Sequence, residues 1–242
     1  MSQRVNITKA RMLDNQTPFA IKEAYNQLRT NLMYTSKGES TCPVYAITSA
    51  EAGDGKSTVI SNLAISFAQA NKKVLLIDAD MRRPVQHQHF NLSRKQTGLS
   101  ELLSSIAKYT PSMISNPLPS LYVLTSGCIP PNPSELLLGE KFEELLNIWR
   151  KEFDVIFIDL PPVDVVSDPL SVAPLVDGYI LAAMANKTDS RHLHSAVAKL
   201  KQIDAKILGV VITASNLKGE GSYKYRYKYK YSYHRDYEYI SS

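Results

Sequence analysis

VYAITSAEAGDGKST, the stretch from Val44 to Thr58, decides the fold of this 242-residue chain. It begins as a short β-rich apolar run, typical of a buried strand. The run breaks into a loop that contains two glycines, and residues 57–70 then return to the helical spacing of apolar side chains. The stretch therefore predicts a strand, a loop and a helix in direct succession.

The loop matches the pattern of a phosphate-binding loop. Gly53 and Gly55 allow successive N–H groups to point at phosphate oxygens, and the following helix presents its positive end. In this pattern Lys56 reaches the β- and γ-phosphates, Ser57 ligates magnesium and Thr58 lies near the α-phosphate. The alternative is a glycine turn that only caps a helix. The loop predicts ATP and Mg²⁺ as ligands, bound by Ala52, Gly53, Asp54, Gly55, Lys56, Ser57 and Thr58.

Aspartates follow two other apolar runs. Residues 74–77 and 155–158 are continuous apolar stretches, typical of strands covered on both faces of a parallel sheet. Asp78 and Asp80 follow the first run, and Asp159 follows the second. Magnesium on a triphosphate needs one or two carboxylates nearby, so these residues are candidate metal ligands or proton acceptors. The spacing leaves open which of Asp78 and Asp80 is the base, and strand-end aspartates that only cap helices are the alternative.

Strands and helices alternate along the rest of the chain. Further strand-like runs lie at residues 121–124, 179–182 and 207–212, and helical patterns lie at 18–34, 134–150, 168–175 and 190–203. This alternation predicts an α/β fold: a doubly wound, mostly parallel sheet of the P-loop NTPase type with helices on both faces. Ligands bind such sheets beyond the carboxyl ends of the strands, where the loop and the three aspartates converge.

Composition excludes several classes of protein. With 44% hydrophobic and 21% charged residues, the chain is neither fully disordered nor stapled by disulfides. The net charge is +5, but residues 218–242 carry six basic and three acidic side chains, so the body offers no basic face for nucleic acid. Cys42 and Cys128 lack CxxC spacing, and neither a signal peptide nor an 18-residue apolar run is present, which indicates the cytosol.

A tyrosine cluster fills the end of the chain. Strict alternation with basic residues is typical of a strand with one aromatic face, of a stacking platform for single-stranded RNA, or of a disordered low-complexity tail. The eight tyrosines are Tyr223, Tyr225, Tyr227, Tyr229, Tyr231, Tyr233, Tyr237 and Tyr239.

Together these motifs resemble the bacterial tyrosine kinases, P-loop autokinases that accompany capsule and exopolysaccharide synthesis. The resemblance covers nearly the whole chain. Besides the loop and the tyrosine cluster, it depends on LLIDADMRRP at 75–84, IFIDLPP at 156–162 and SGCIPPNPSELL at 126–137. It implies an ATP-dependent protein-tyrosine autokinase in which Lys56, Asp78 and Asp80 are catalytic. Asp78 would activate the tyrosine hydroxyl, and Ser57, Asp80 and Asp159 would serve the metal.

The residue pattern predicts the organisation of the chain, and the resemblance implies its partners. We expect residues 1–17 to form an N-terminal extension, 18–217 the kinase domain with an oligomerisation helix, and 218–242 a flexible tail that is long enough to be phosphorylated in trans. The oligomerisation motif of the family is present in Glu23 and Arg29, but Asn26 replaces its central arginine. The implied partners are further copies in a ring or dimer, a transmembrane adaptor that holds the protein at the inner face of the membrane, and a tyrosine phosphatase.

Two other functions compete with this interpretation. A partition- or septum-type ATPase switch is disfavoured because Glu51 stands where that subclass carries lysine. A nucleic-acid binder would act through the basic aromatic tail and show steep salt dependence. Metal binding is not expected from His87 and His89, in a predicted loop, or from His192 and His194, on opposite sides of a predicted helix.

Overall fold

The computed structural model describes residues 12–35 and 41–214. The strands are β1 (Val44–Ser49), β2 (Val74–Asp78), β3 (Ser115–Leu118), β4 (Leu121–Leu124), β5 (Val155–Asp159), β6 (Gly178–Met184) and β7 (Ile207–Thr213). The α-helices are α1 (Phe19–Thr35), α2 (Lys56–Gln69), α3 (Gln86–His89), α4 (Leu99–Leu103), α5 (Pro133–Leu138), α6 (Glu140–Trp149), α7 (Asp168–Ser171) and α8 (Ser190–Gln202). Two 3₁₀ turns lie at Pro111–Met113 and Ala173–Leu175.

The seven strands form one sheet in the order β3-β4-β2-β5-β1-β6-β7. All neighbouring pairs are parallel except β3 and β4, which are antiparallel at one edge. The predicted mostly parallel, doubly wound sheet is therefore confirmed. Strands β2 and β5 lie on one side of β1 and β6 and β7 on the other, so the chain reverses its direction of winding at the centre of the sheet. A crevice opens at such a reversal, beyond the carboxyl ends of the strands.

The register of the central strands brings the predicted functional segments together. Asp78 at the end of β2 pairs with Asp159 at the end of β5, and Asp159 pairs in turn with Ile47 near the end of β1. The loop after β1 and both aspartates therefore leave three adjacent strands at one edge of the sheet.

Apolar layers on both faces hold the sheet in place. Along β1, Val44 and Ala46 join the layer that contains α6 and α8, whereas Tyr45 and Ile47 join the layer that contains α2. Burial of each large apolar side chain stabilises the fold by about 1.5–3 kcal/mol. Leu13, within the predicted N-terminal extension, is also buried, and its backbone N–H donates to Asn62 Oδ1 on α2 at 2.7 Å.

Several predicted elements are wrong in extent or type. The helix predicted over 134–150 is two helices, because Gly139 adopts an extended conformation (φ −68°, ψ 146°) between α5 and α6. The helix predicted over 168–175 ends at Ser171, and the 3₁₀ turn after it contains Pro174, which lacks the N–H of a regular α-helix.

Three short elements differ from the sequence prediction in another way. Residues 86–89, predicted as a loop, form α3, while α4 and β3 had no predicted counterpart. Strand β3 contains Pro117 and lies at the antiparallel edge, where a strand tolerates a missing N–H. Among residues 12–35 and 41–214, none of the helices has the length and apolar character that crossing a membrane requires.

We expect Gly98→Ala to lower the free energy of unfolding by about 1–3 kcal/mol through overpacking. A Cβ at Gly98 would lie 2.3 Å from the carbonyl oxygen of Thr125 and 2.3 Å from the backbone nitrogen of Gly127. The matched control is Gly209→Ala on β7, because a Cβ there meets none of the described atoms within 4 Å. Urea unfolding of both variants measures the difference, and equal stabilities would contradict the close approach of these loops.

Candidate active site

The loop between β1 and α2 has the shape of an anion-binding nest. Gly53 and Gly55 have φ values of 84° and 86°, in the left-handed region that favours glycine. Gly55 is the N-cap of α2, and none of the described side chains caps the first turn of this 14-residue helix. The N–H groups of that turn therefore remain available to an anion, reinforced by the helix dipole. This geometry fits the phosphates of a nucleotide.

Contacts behind the loop hold its shape. Asp54 is fully buried, and its carboxylate accepts hydrogen bonds from the Glu51 backbone N–H at 2.9 Å and the Thr188 hydroxyl at 2.8 Å. The Thr213 hydroxyl donates to the Asp54 carbonyl oxygen at 2.7 Å. Asp54 was predicted in the nucleotide-binding set, and its side chain is used inside the protein to brace the loop.

Lys56 lies at the centre of a buried charge cluster. Its Nζ is 2.8 Å from Asp80 Oδ2, 3.3 Å from Asp159 Oδ1 and 3.1 Å from the Ser57 hydroxyl, which accepts a hydrogen bond. Burial alone would lower the pKa of the Lys56 ammonium, but the charges of Asp159 and Asp80 outweigh it and raise that pKa. Lys56 is therefore a fixed cation beside the anion-binding loop.

Asp78 differs from the other two carboxylates of the cluster. Its Oδ2 accepts hydrogen bonds from the backbone N–H groups of Val85 and Gln86 at 3.1 and 3.0 Å. Its Oδ1 is buried and has no hydrogen-bond partner among the described residues. Burial, followed by the charge of Asp159, raises the pKa of the Asp78 carboxyl well above its ordinary value. Both oxygens of Asp80 are engaged, Oδ2 by Lys56 and Oδ1 by the backbone N–H of Arg83 at 3.0 Å.

The charges of the cluster do not balance. Three carboxylates surround one ammonium group, and all four side chains are buried. Within the described part of the chain, no three acidic, histidine or cysteine side chains are arranged to hold a metal by themselves. This donor set suits Mg²⁺ on a triphosphate, because that ion keeps several waters and takes phosphate oxygens in addition to one or two carboxylates. The residues present therefore fit a nucleotide-bound Mg²⁺.

Comparison with known proteins identifies the family. A model of the ParA family, described as an NUBPL iron-transfer P-loop NTPase, matches residues 41–231. Tyrosine-protein kinase CpsD of Streptococcus agalactiae is 34% identical over 212 residues, which cover 87% of this chain and 91% of the relative. Tyrosine-protein kinase YwqD of Bacillus subtilis is 36% identical over 201 residues, which cover 83% and 84%. The kinase domain of Escherichia coli tyrosine kinase ETK superposes with a TM-score of 0.75 at 30% identity, covering 90% of this chain and 89% of that one.

The chain belongs to the bacterial tyrosine kinases. The resemblance predicted from its motifs is confirmed, and nucleotide binding is a property of the P-loop NTPases that include this family. An iron-transfer role finds no support in the cysteines of the kinase, because Cys42 is buried and Cys128, far away in sequence, is exposed. Iron–sulfur clusters need several thiolates at one place.

A cluster of hydrogen bonds around Asp168, which the sequence did not predict, forms a clamp on the loops beside the site. The guanidinium of Arg82 donates to both oxygens of the buried Asp168 carboxylate, at 2.9 and 2.8 Å, and the Ser134 hydroxyl donates to the same carboxylate. The clamp joins the loop that carries Asp80 to the first residues of α5 and α7. No spacing in the sequence signals a contact across 86 residues.

Both predicted oligomerisation residues lie on α1. Arg29 donates to the carbonyl oxygen and hydroxyl of Ser66 on α2, so in this structure it contacts its own chain. Glu23 lies on α1, six residues earlier in the chain.

The eight tail tyrosines lie outside the described residues. His192 Nδ1 lies 2.7 Å from Glu51 Oε1, whereas His194 Nδ1 lies 2.6 Å from the Ser190 carbonyl oxygen, so these histidines have different partners.

We expect Arg82→Ala to lower the free energy of unfolding by about 2 kcal/mol. The substitution leaves the buried Asp168 carboxylate without its cation, and the partial exposure of Arg82 keeps the cost below that of a fully buried pair. Arg83→Ala is the matched control, because the neighbouring side chain is exposed and its contact with Asp80 is made by the backbone. Urea unfolding of the two variants is the measurement. Equal losses of stability would contradict the clamp.

Proposed function

We propose that this kinase binds ATP and Mg²⁺ at the loop after β1 and transfers the γ-phosphoryl group to its C-terminal tyrosine cluster, on another copy of the chain. One observation carries the proposal: a buried lysine among three buried carboxylates lies directly beside a phosphate-binding loop. The eight clustered tyrosines supply the acceptors. Regulation of capsule or exopolysaccharide synthesis is the process that the family resemblance implies.

Each residue of the cluster has a proposed role. Lys56 and the N–H groups at the start of α2 bind the phosphates and stabilise the charge that spreads over the transferred group. Ser57, Asp80 and Asp159 would hold the metal ion. When bound, Mg²⁺ neutralises phosphate charge and orients the triphosphate.

Asp78 is the proposed proton acceptor. Its Oδ1 has no hydrogen-bond partner among the described residues, whereas both oxygens of Asp80 are engaged. The raised pKa of the Asp78 carboxyl makes it a stronger base than an ordinary aspartate once it is ionised. As the tyrosine oxygen bonds to the γ-phosphorus and the bond from phosphorus to the ADP oxygen breaks, the phenolic proton passes to Asp78 directly or through one water. The difference in hydrogen bonding therefore favours Asp78 over Asp80 as the base.

Transfer in trans is part of the proposal and is supported by the reach of the tail. Strand β7 ends at Thr213, whose hydroxyl contacts the phosphate-binding loop of its own chain. Residues 223–239 can span about 55 Å when extended, which is enough to reach a neighbouring subunit. Each added phosphate brings roughly −1.5 to −2 charges, so modification replaces a basic tail with a strongly acidic one. Repulsion by the acidic site would then release the product.

Partners and location complete the proposal. Helix α1 exposes the apolar side chains Phe19, Ile21, Met33 and Tyr34, which favour a contact with further copies in a ring or dimer. In this arrangement Arg29 anchors α1 on α2 through Ser66, and Glu23 on the same helix takes part in the contact between copies. A transmembrane adaptor would hold the kinase at the inner face of the membrane, and a tyrosine phosphatase would reverse its modification.

The ATPase switch of the partition type is less well supported. That subclass needs a lysine at the position of Glu51, and the Glu51 carboxylate instead accepts a hydrogen bond from the Asp189 backbone N–H at 3.4 Å and lies beside His192. This side chain is therefore acidic and is held by contacts at the start of α8. It cannot supply a second cation to the phosphates.

Incubation of the full chain with ATP and Mg²⁺ should add a ladder of phosphates, each about 80 Da, to residues between Tyr223 and Tyr239. Intact mass measurement followed by phosphosite mapping detects it. Lys56→Met should abolish the ladder because the phosphate-binding cation is lost, and Asp78→Ala should reduce it at least about 100-fold because the base is lost. Circular dichroism checks that both variants are folded.

Either of two results would overturn this assignment. Phosphotyrosine retained in both variants would place the active site elsewhere. ATP consumed by the wild type in the presence of an adaptor, without any gain in mass, would favour the ATPase switch.

A further inference from the structure

Gln86, the first residue of α3, contacts both Asp78 and Asp159, although no sequence motif includes it. The residue is fully buried. Its backbone N–H donates to Asp78 Oδ2 at 3.0 Å, and its side-chain Nε2 donates to Asp159 Oδ2 at 2.8 Å. One residue therefore contacts two of the three carboxylates in the cluster.

The orientation of the Gln86 carboxamide follows from its neighbours. Nε2 faces Asp159 Oδ2 and, at 3.3 Å, the carbonyl oxygen of Ser57. The Ser57 carbonyl and an ionised Asp159 can only accept hydrogen bonds, so the amide nitrogen must face them. On the other side, Oε1 lies 2.7 Å from the hydroxyl of Ser61 on α2. That hydroxyl has one proton, which the Ser57 carbonyl oxygen at 2.6 Å also attracts, so Ser61 supports Oε1 only in part. The carboxamide is thus held mainly through its amide nitrogen.

This arrangement divides the two oxygens of Asp159 between different partners. Oδ1 lies 3.3 Å from Lys56 Nζ, and Oδ2 receives the amide of Gln86. With Oδ2 held, the carboxylate cannot rotate about its terminal bond without losing a buried hydrogen bond. Oδ1 is consequently kept toward Lys56 and the phosphate-binding loop.

The chemical nature of glutamine suits this place. A neutral amide donates to Asp159 without cancelling its charge, whereas a lysine or arginine would neutralise the carboxylate. A glutamate would add a fourth acidic group to a cluster that holds one lysine. Second-layer donors of this kind fix the orientation of metal-binding carboxylates in proteins.

We propose that Gln86 is a positioning residue for the metal site, acting through Asp159 and, by its backbone, through Asp78. This inference rests on the proposed function, because it assumes that Asp159 serves a nucleotide-bound Mg²⁺. It predicts that loss of the carboxamide raises the Mg²⁺ concentration needed for nucleotide binding while the protein remains folded.

The test is binding of a fluorescent ADP analogue to the full chain, titrated with Mg²⁺. Gln86→Met keeps the length and volume of the side chain but removes the amide donor. We expect the Mg²⁺ concentration for half-maximal nucleotide binding to rise about 10-fold, as for other lost second-layer contacts. Gln88→Met is the matched control, since it makes the same change at an exposed position on the same helix, and should behave like the wild type.

A second variant covers the case in which Gln86→Met does not fold. Ser61→Ala removes the hydroxyl behind the carboxamide and leaves the amide donor in place, and it should raise the Mg²⁺ requirement by less than loss of the donor itself. Thermal unfolding without Mg²⁺ verifies that each variant is folded. A purely structural role would lower the melting temperature and leave the Mg²⁺ requirement unchanged.

The outcomes separate this inference from the proposed function. A Mg²⁺ requirement of the wild type that Gln86→Met and Ser61→Ala leave unchanged would overturn the role of Gln86 alone. Nucleotide binding by the wild type without any Mg²⁺ dependence would overturn the proposed metal site and, with it, the role of Gln86.

Discussion

The ion pairs of Lys56 with Asp80 and Asp159 are the interaction on which the rest of the site depends. An unpaired carboxylate or ammonium group in the protein interior costs several kcal/mol, so these groups are tolerated only because they face one another. Asp78 adds a third carboxylate that no lysine or arginine among residues 12–35 and 41–214 touches directly. The cluster therefore holds an excess of negative charge, which a divalent cation or a shared proton would relieve. Burial, and after it the charge of Asp159, raises the pKa of the Asp78 carboxyl, which favours such a proton there.

The sheet makes this concentration of charge possible. Parallel strands β2, β5 and β1 end at the same edge of the sheet. Strands β2 and β5 end in the aspartates of the cluster, and β1 leads into the phosphate-binding loop. Two apolar layers keep these strands in register, and polar contacts then fix the loops at the edge. Thr188 and Thr213 hold the phosphate-binding loop through Asp54, Arg82 and Asp168 hold the loop after β2, and Gln86 holds the carboxylate of Asp159.

Much of this arrangement follows from the sequence alone. The strands around Val44, Val74 and Val155 are uninterrupted apolar runs, and their lengths and order are enough to predict a parallel sheet with a phosphate-binding loop. Asp78, Asp80 and Asp159 could be placed near Lys56 because the carboxyl ends of parallel strands share an edge. These predictions need only local pattern and topology, and the structure brings the four side chains together.

The rest depends on contacts that leave no local signal. Gln86 reaches Asp159 across 73 residues and Arg82 reaches Asp168 across 86, and neither pair has a spacing that sequence periodicity can reveal. The break at Gly139 was missed because apolar spacing continues through it in the sequence. Arg29, predicted in a subunit contact, donates to Ser66 on α2 of its own chain, and the motif does not signal this second contact.

The most direct test of the account separates the active site from its substrate. A chain with all eight tail tyrosines replaced by phenylalanine retains the charge cluster, and the Lys56→Met chain retains the acceptors. Mixed with ATP and Mg²⁺, the pair should place phosphate on the tail of the Lys56→Met chain, measured by the intact mass of each chain. If that chain gains no phosphate while the wild type alone phosphorylates its tail, transfer between copies is contradicted.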